Sequence, residues 1–161
     1  MNYFDKYIEY ISIGLKTSQF ISNSIETDSQ FFFNEIKNIL QSLKKNKNKI
    51  YFFGNGASAA FANHMALDFS KNGKILARSL SDSALLTALS NDYSYENAML
   101  EFLKIEGATQ DDLVITISSS GNSPNIVSVL NYCKENNIQS LALSGLKKDN
   151  KSISLADYSI Y

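Results

Sequence analysis

Short apolar runs alternate with helical patterns over most of the chain from residue 50 onward. Apolar side chains recur at helical spacing at about 58–71, 82–90, 94–106 and 123–136. The apolar runs that predict strands are residues 50–53, 75–80, 113–117, 140–143 and 158–161. Short strands that alternate with helices form a parallel sheet with helices on its faces. We therefore predict an α/β protein in which ligands bind at the carboxyl ends of the strands, where the strand order switches.

Two helical patterns precede the first of these strands, at 3–22 and 31–43, and Asp28 is the predicted N-cap of the second. The sequence thus indicates a single domain, 1–161, with a helical N-terminal extension at 1–48 and an α/β core at 49–161. The helices carry many aromatic side chains, which need a partner surface. We predict that they pack against other copies of the chain in a dimer or tetramer.

Composition excludes several classes of partner. A net charge of −1 leaves no basic surface for nucleic acid, and the lysines at 44–49 fit a solvated helix end. No apolar segment approaches the length of a membrane span, and the N-terminus lacks the pattern of a signal peptide, so we expect a cytoplasmic protein without membrane contact. The single cysteine, Cys133, permits no internal disulfide and falls in an apolar helical pattern, which predicts a core position.

A cluster of hydroxyl side chains follows the apolar run at 113–117. Capping of the next helix, with Pro124 at its first position, would explain Ser123. It leaves Ser118, Ser119 and Ser120 unexplained. Hydroxyls and free backbone N–H groups at the carboxyl end of a strand, next to a helix N-terminus, favour binding of an anion such as phosphate.

A glycine-rich turn follows the first strand of the core, with the sequence Gly54-Asn55-Gly56-Ala57-Ser58. It satisfies the loose dinucleotide pattern G-x-G-x-x-G/A. A dinucleotide site also needs an acidic residue at the end of the second strand, and the nearest one is Asp82, so a nucleotide-binding oxidoreductase is disfavoured. Asn55 and Ser58 offer donors to a sugar, whereas a plain tight turn remains the simpler explanation.

His64 and Asp68 are spaced to share one face of the helix that follows this turn. The pair can supply two metal ligands or a general base beside an imidazole, and an ordinary surface pair is an equally good explanation. Asn91 and Asp92 close the helical pattern at 82–90, where a helix end followed by an N-cap would explain both.

These motifs, in this order, resemble the SIS (sugar isomerase) domain family, and within it the phosphoheptose isomerases. The resemblance covers about residues 30 to 161. The matching segments are Gly54-Asn55-Gly56-Ala57-Ser58, His64-Met65-Ala66-Leu67-Asp68, Ala88-Leu89-Ser90-Asn91-Asp92-Tyr93, the stretch from Ile117 to Ile126, Leu143-Ser144-Gly145 and Leu155-Ala156-Asp157.

The resemblance implies a flavodoxin-like α/β sandwich that assembles as a tetramer with sites at subunit interfaces. It implies an isomerase that converts sedoheptulose 7-phosphate to glycero-manno-heptose 7-phosphate through an enediol, with Asp68 as the base. His64 and Asp68 match two positions that hold zinc in some members. The substrate-binding residues that it implies are Asn55, Gly56, Ala57, Ser58, Asn91, Asp92, Ser118, Ser119, Ser120 and Ser123.

The chain departs from the family's pattern at three places. The family has glutamate where Asp68 stands and glycine where Ala57 stands. It also continues through a C-terminal helix whose glutamine and histidine complete the metal and acid–base set, whereas this sequence ends at Tyr161. These departures keep a second hypothesis open, in which the chain is a non-catalytic SIS module that binds a phosphosugar or a protein partner and has a regulatory role.

Overall fold

One sheet of seven strands forms the centre of the protein, and a computed structural model describes all of residues 1–161. The strands are β1 (Phe20–Ser22), β2 (Ile25–Thr27), β3 (Ile50–Gly54), β4 (Ala77–Ser79), β5 (Leu113–Ile117), β6 (Gln139–Leu143) and β7 (Tyr158–Ile160). The helices are α1 (Tyr3–Lys16), α2 (Ser29–Asn46), α3 (Ala57–Asp68), α4 (Ser83–Tyr93), α5 (Tyr95–Ile105), α6 (Pro124–Glu135) and α7 (Lys151–Leu155). A π-helical turn, Phe69–Gly73, continues α3.

The strand order is β2-β1-β7-β6-β5-β3-β4, and the five strands from β7 to β4 run parallel. Every residue of β3 is buried, as are the first four of β5. Strands covered on both faces need apolar side chains on both, which is why they appear in the sequence as continuous rather than alternating apolar runs. The predicted α/β class with a parallel sheet is confirmed.

Two apolar cores cover the two faces of the sheet. On one face, α2 and α3 place Phe32 and Ala62 against Phe52 of β3. On the other, α5 and α6 place Phe102 and Val129 in the second core. Cys133 lies in the second core, where burial raises the pKa of its thiol to about 12. It stays protonated and has the packing role that the sequence predicts.

The N-terminal region differs from the sequence prediction. The predicted helix 3–22 ends at Lys16, and residues 20–27 form a hairpin of β1 and β2 that extends the sheet antiparallel to β7. Asn23 and Ser24 both have positive φ, +48° and +66°, which is the backbone of a tight two-residue hairpin turn. The extension at 1–48 is therefore not wholly helical.

Helix α1 packs none of its residues into the protein. Its N-terminus is capped by Asn2, whose Oδ1 accepts the Asp5 N–H at 2.9 Å, yet no residue of the helix is buried. Tyr3 and Leu15 are 85% and 73% exposed. An apolar helix of this kind needs a further surface to cover it. None of the seven helices is both long and apolar enough to cross a membrane.

Candidate functional site

The glycine-rich turn and the serine-rich loop lie side by side at the carboxyl edge of the sheet. The chain passes from β3 to β4 on one side, whereas β5 lies on the other side of β3. The last residues of β3 and β5, Gly54 and Ile117, are paired in register. Ligands of open α/β sheets bind in the crevice at such a reversal of strand order. The position that the sequence predicts for a ligand is thus the switch point of this sheet.

The serine loop, residues 118–123, is held from behind by its carbonyl groups. The Ser119 carbonyl accepts the N–H groups of Gly145 and Leu146 at 3.1 and 2.8 Å. The Gly121 carbonyl accepts the N–H and the hydroxyl of Ser152 at 3.0 and 2.8 Å. Because the carbonyls bond to the segment 145–152, the opposite edge of the loop is left to its amides.

Three backbone N–H groups of the serine loop, those of Ser119, Ser120 and Ser123, donate no hydrogen bond within the chain. Ser123 occupies the N-cap position of α6, but its side chain makes no capping bond. Its hydroxyl lies 3.4 Å from that of Ser118 instead. The Ser120 hydroxyl accepts the Asn122 N–H at 3.2 Å, and the Ser119 hydroxyl has no partner within the chain. Free N–H groups and hydroxyls beside a helix N-terminus form a site for an anion, which simple capping does not explain.

Gly121 fixes the shape of this loop. It has φ +63°, and a Cβ at this position would overlap the side chain of Asn150. Asn150 in turn caps α7, because its Oδ1 accepts the Ile153 N–H at 3.2 Å, and its Nδ2 donates to the Lys147 carbonyl at 2.6 Å. Only glycine fits against Asn150 in this conformation.

The glycine turn is equally constrained. A Cβ on Gly54 would lie 2.6 Å from the backbone carbon and oxygen of Ser58, so only glycine permits this approach. Gly56 has φ +54° and precedes α3, which has no side-chain cap. Ala57 is exposed at the first position of α3, so its methyl group does not block the turn. The N-terminal amides of α3 therefore border the same crevice as the serine loop.

The junction of α4 and α5 also reaches the glycine turn. Asn91 and Asp92 lie in the last turn of α4, which ends at Tyr93, and the Asn91 amide donates to the Asp92 carboxylate at 3.0 Å. Both side chains are exposed. The hydroxyl of Tyr95, the first residue of α5, donates to Asn55 Oδ1 at 2.8 Å. This contact brings the junction against the candidate site.

His64 and Asp68 lie on α3, two and three turns beyond Ala57. At 1.5 Å per residue this is roughly 10 and 16 Å along the helix axis. The His64 Nε2 and Asp68 Oδ2 atoms are 3.4 Å apart, and both side chains face solvent. A single chain therefore places the pair away from the serine loop.

The pair does not make a complete metal site within one chain. Zinc in catalytic sites takes three protein ligands and an open position. No group of three His, Cys, Asp or Glu side chains in this chain is close enough to hold a metal ion. His64 and Asp68 supply at most two ligands, so the residues present do not fit a zinc centre on their own.

A separate cleft of about 440 Å³ lies at the β4 edge of the sheet. It contains the bidentate ion pair of Arg78 with Glu106, at 3.0 and 3.1 Å. The bond from Arg78 lowers the pKa of the Glu106 carboxyl, and the same bond raises that of the Arg78 guanidinium. The two charges satisfy each other, and the other charged side chain that lines the cleft is the carboxylate of Asp82, which accepts the Leu85 N–H at 2.8 Å. This cleft therefore offers no unpaired cation to a phosphate.

Sequence reasoning missed Tyr95 and also missed a buried residue at the switch point, Asn125. It is 2% exposed at the second position of α6 and exchanges two hydrogen bonds of 2.9 Å with Asn55. A polar side chain in the first turn of a helix is usually explained by capping, which conceals such a contact. The signal available in the sequence was the side-chain amide of Asn125, two residues after Ser123, together with the side-chain amide of Asn55 in the glycine turn.

Comparison with known proteins gives one family. The sequence model described as "SIS domain" matches residues 15–145. "Phosphoheptose isomerase 2" of Campylobacter jejuni is 41% identical over 107 residues, which is 63% of this chain and 53% of that protein. The phosphoheptose isomerase of Aneurinibacillus thermoaerophilus is 33% identical over 160 residues, 94% of this chain and 80% of that protein.

A solved structure gives the same result. That of phosphoheptose isomerase GmhA from Neisseria gonorrhoeae superposes with a TM-score of 0.76 at 27% identity, over 95% of this chain and 77% of that one. The family match covers most of the strands and helices that build the switch point. The chain therefore belongs to the SIS domain family.

Proposed function

We propose that this chain is a subunit of a phosphosugar ketose–aldose isomerase that converts sedoheptulose 7-phosphate to glycero-manno-heptose 7-phosphate. The observation that carries the proposal is the serine loop, with three free N–H groups and a cluster of hydroxyls at the switch point of the sheet. The names of the relatives support a phosphorylated seven-carbon sugar as the ligand.

In this proposal the phosphate binds to the serine loop and the sugar extends over the glycine turn. Ser118, Ser119, Ser120 and Ser123 hold the phosphate oxygens. The turn lies beside them across the paired ends of β3 and β5, so it meets the carbon chain. The groups that line the sugar are Asn55, Gly56, Ala57, Ser58, Asn91 and Asp92.

The proposed reaction is a proton transfer between neighbouring carbons. A base removes a proton from C1 of the ketose while the C2 carbonyl oxygen gains one, which gives the enediol. Return of a proton to C2 and loss of the O1 proton gives the aldose, so substrate and product have the same atoms and electrons. The protein must supply a base near C1, a proton donor for the oxygen and a grip on the phosphate that orients both carbons.

Asp68 is the proposed base. Because it lies about three turns from the glycine turn of its own chain, we propose that it acts at the serine loop of a neighbouring subunit. Its exposure on the surface of α3 supports this arrangement. A zinc ion on His64 and Asp68 stays a prediction that needs at least one ligand from outside this set. The proton transfer above does not depend on it.

A non-catalytic phosphosugar-binding or protein-binding module is the second candidate. Two observations favour it: the separation of Asp68 from the serine loop within one chain, and a carboxylate one methylene shorter than the family's glutamate. Such a module would bind the sugar phosphate without turning it over. Binding and turnover measured on the same sample distinguish the two candidates.

The phosphate contacts predict selective binding of phosphorylated sugars. Titration calorimetry is expected to show binding of sedoheptulose 7-phosphate and of inorganic phosphate, and none of sedoheptulose. Ser120→Ala is expected to weaken both affinities by about 1–2 kcal/mol, the value of one charge-assisted hydrogen bond. Ser154→Ala is the matched control and should change neither, because the Ser154 hydroxyl is exposed and donates only to the Lys151 carbonyl of its own helix. Equal affinity for sedoheptulose and its phosphate would refute the assignment.

Exposed α1 predicts an oligomer. Sedimentation equilibrium at micromolar concentration is expected to give a dimer or tetramer, because a helix with no buried residue needs a second copy to cover it. Removal of residues 1–16 spares β1 and the sheet, so it should give a smaller, folded species. A full-length monomer of 18.0 kDa would contradict this prediction.

A further inference from the structure

The side chain of Asn55 is locked in one orientation by three hydrogen bonds. It exchanges two bonds of 2.9 Å with Asn125, one in each direction. Its Oδ1 also accepts the hydroxyl of Tyr95 at 2.8 Å. These contacts join the glycine turn, the first turn of α6 and the start of α5. These three hydrogen bonds decide which atom of the Asn55 side chain remains for a ligand.

The oxygen and nitrogen of an amide are told apart by their partners. The Ile126 backbone N–H, which can only donate, is shared between the Ser123 carbonyl and one atom of the Asn125 side chain, each at 3.0 Å. That atom is Oδ1, because an amide nitrogen would turn its own N–H toward another donor. The atom of Asn55 opposite it must then be Nδ2. This leaves Oδ1 of Asn55 facing Asn125 Nδ2, so the Tyr95 hydroxyl must act as donor.

A side-chain amide has two acceptor positions on its oxygen and two N–H donors. Both acceptor positions of Asn55 are occupied, one by Asn125 and one by Tyr95. One of its two N–H groups is also used. The only hydrogen-bonding group that the Asn55 side chain has left is the second N–H, so this side chain can meet an acceptor oxygen of a ligand but cannot accept a hydroxyl proton.

The backbone that positions Tyr95 is itself unusual. Ser94, between α4 and α5, has φ +81° and ψ 153°, a conformation that non-glycine residues rarely adopt. It lets α5 start directly after α4 and sets the Tyr95 hydroxyl against Asn55. Strained residues are retained where the surroundings hold them and are common at functional sites.

We infer that Tyr95 and Asn125 are positioning residues that make Asn55 a donor only, aimed at an acceptor oxygen of the sugar. The inference rests on the proposed function in taking a sugar phosphate as the ligand. The second N–H of Asn55 would donate to a carbonyl oxygen, an ether oxygen or a hydroxyl oxygen of the sugar at the glycine turn. Neither positioning residue needs to touch the sugar.

Calorimetry on Tyr95→Phe tests the role of the hydroxyl. Affinity for sedoheptulose 7-phosphate is expected to fall about fivefold, because Asn55 loses one bond that orients it. Affinity for inorganic phosphate, which contacts the serine loop alone, should stay unchanged. Tyr93→Phe is the matched control, since the Tyr93 hydroxyl makes no hydrogen bond and the residue lies two positions away. Equal losses in both variants would overturn the inference.

A double-mutant cycle separates positioning from general stability. In an Asn55→Ala background, Tyr95→Phe should have no further effect on the sugar phosphate, because it acts through Asn55 alone. A purely structural role would give the same loss in both backgrounds, and that result would contradict the inference.

The direction of the Asn55 bond has a test of its own. Asn55→Asp keeps the shape but replaces Nδ2 with an acceptor, which removes both the free N–H and the bond to Asn125 Oδ1, so affinity for sedoheptulose 7-phosphate should fall more than tenfold. Inorganic phosphate serves as the control for the added charge. If Asn55 instead accepts a hydroxyl proton, the aspartate should bind the sugar phosphate as well as the wild type or better, and the donor assignment would be wrong.

A measurement without ligand keeps this inference separate from the proposed function. In nuclear magnetic resonance spectra of the free protein, Tyr95→Phe should shift the side-chain amide protons of Asn55 and Asn125, and Tyr93→Phe should not. If these amide protons shift in a protein that binds no sugar phosphate, the proposed function is refuted, but the orientation of Asn55 by Tyr95 and Asn125 is supported. No shift in a protein that does bind would overturn the inference alone.

Discussion

Asp68→Asn is expected to lower turnover of sedoheptulose 7-phosphate by about 10²–10⁴-fold, the usual contribution of a positioned general base. The amide keeps the shape of the side chain and removes only its ability to take a proton. Affinity for the substrate should therefore change little, because only proton transfer needs the carboxylate. The measurement is a steady-state assay of ketose–aldose conversion, paired with calorimetry on the same samples.

Two further variants complete this test. Asp68→Glu restores the reach of the family's residue and should keep or raise activity. Asp111→Asn removes an exposed carboxylate on the loop before β5, at the opposite end of the sheet, and should change nothing. Full activity in Asp68→Asn would mean that another residue is the base. Binding without turnover in the wild type would favour the regulatory module.

The core strands and the helices between them could be predicted because their signal is local. The run at 113–117 is the observed β5, and the helices predicted at 82–90 and 94–106 are α4 and α5 within a few residues. Asp28 caps α2 as predicted, with its Oδ1 2.9 Å from the Phe31 N–H. Apolar periodicity and cap residues specify these elements without tertiary contacts.

The elements that were missed depend on contacts distant in sequence. Strand β1 is only three residues long and exists because it pairs with β7, from the other end of the chain. The short helix α7 has five residues and is held by its cap and by bonds to the serine loop. Neither has a periodicity long enough to detect in the sequence.

The candidate site divides in the same way. The serine loop and the glycine turn were predictable, because each directly follows a buried strand and parallel strands end at one edge. The contact between Asn55 and Asn125 joins residues 70 positions apart, and no local pattern indicates it. The position of Asp68 relative to the serine loop is also a property of the folded chain rather than of spacing.

Gly121→Ala is expected to lower the free energy of unfolding by about 3 kcal/mol and to weaken binding of inorganic phosphate by more than tenfold. The added methyl group meets two penalties. It forces a left-handed backbone on alanine, which costs about 1–2 kcal/mol, and it overlaps Asn150. Asn150 must move, and with it the segment that holds the Ser119 carbonyl, so the free amides of the loop lose their common direction.

Gly107→Ala separates the two penalties. Gly107 has a similar φ of +68°, but a Cβ there would meet nothing within 4 Å. Gly107→Ala should therefore lower the free energy of unfolding only by the cost of the left-handed backbone, about 1–2 kcal/mol, and should keep full affinity for phosphate. The difference between the two variants in chemical denaturation then measures the contact with Asn150. If both lose the same stability and both still bind phosphate, Asn150 does not support the serine loop, and the loop's amides must be held by its remaining carbonyl bonds.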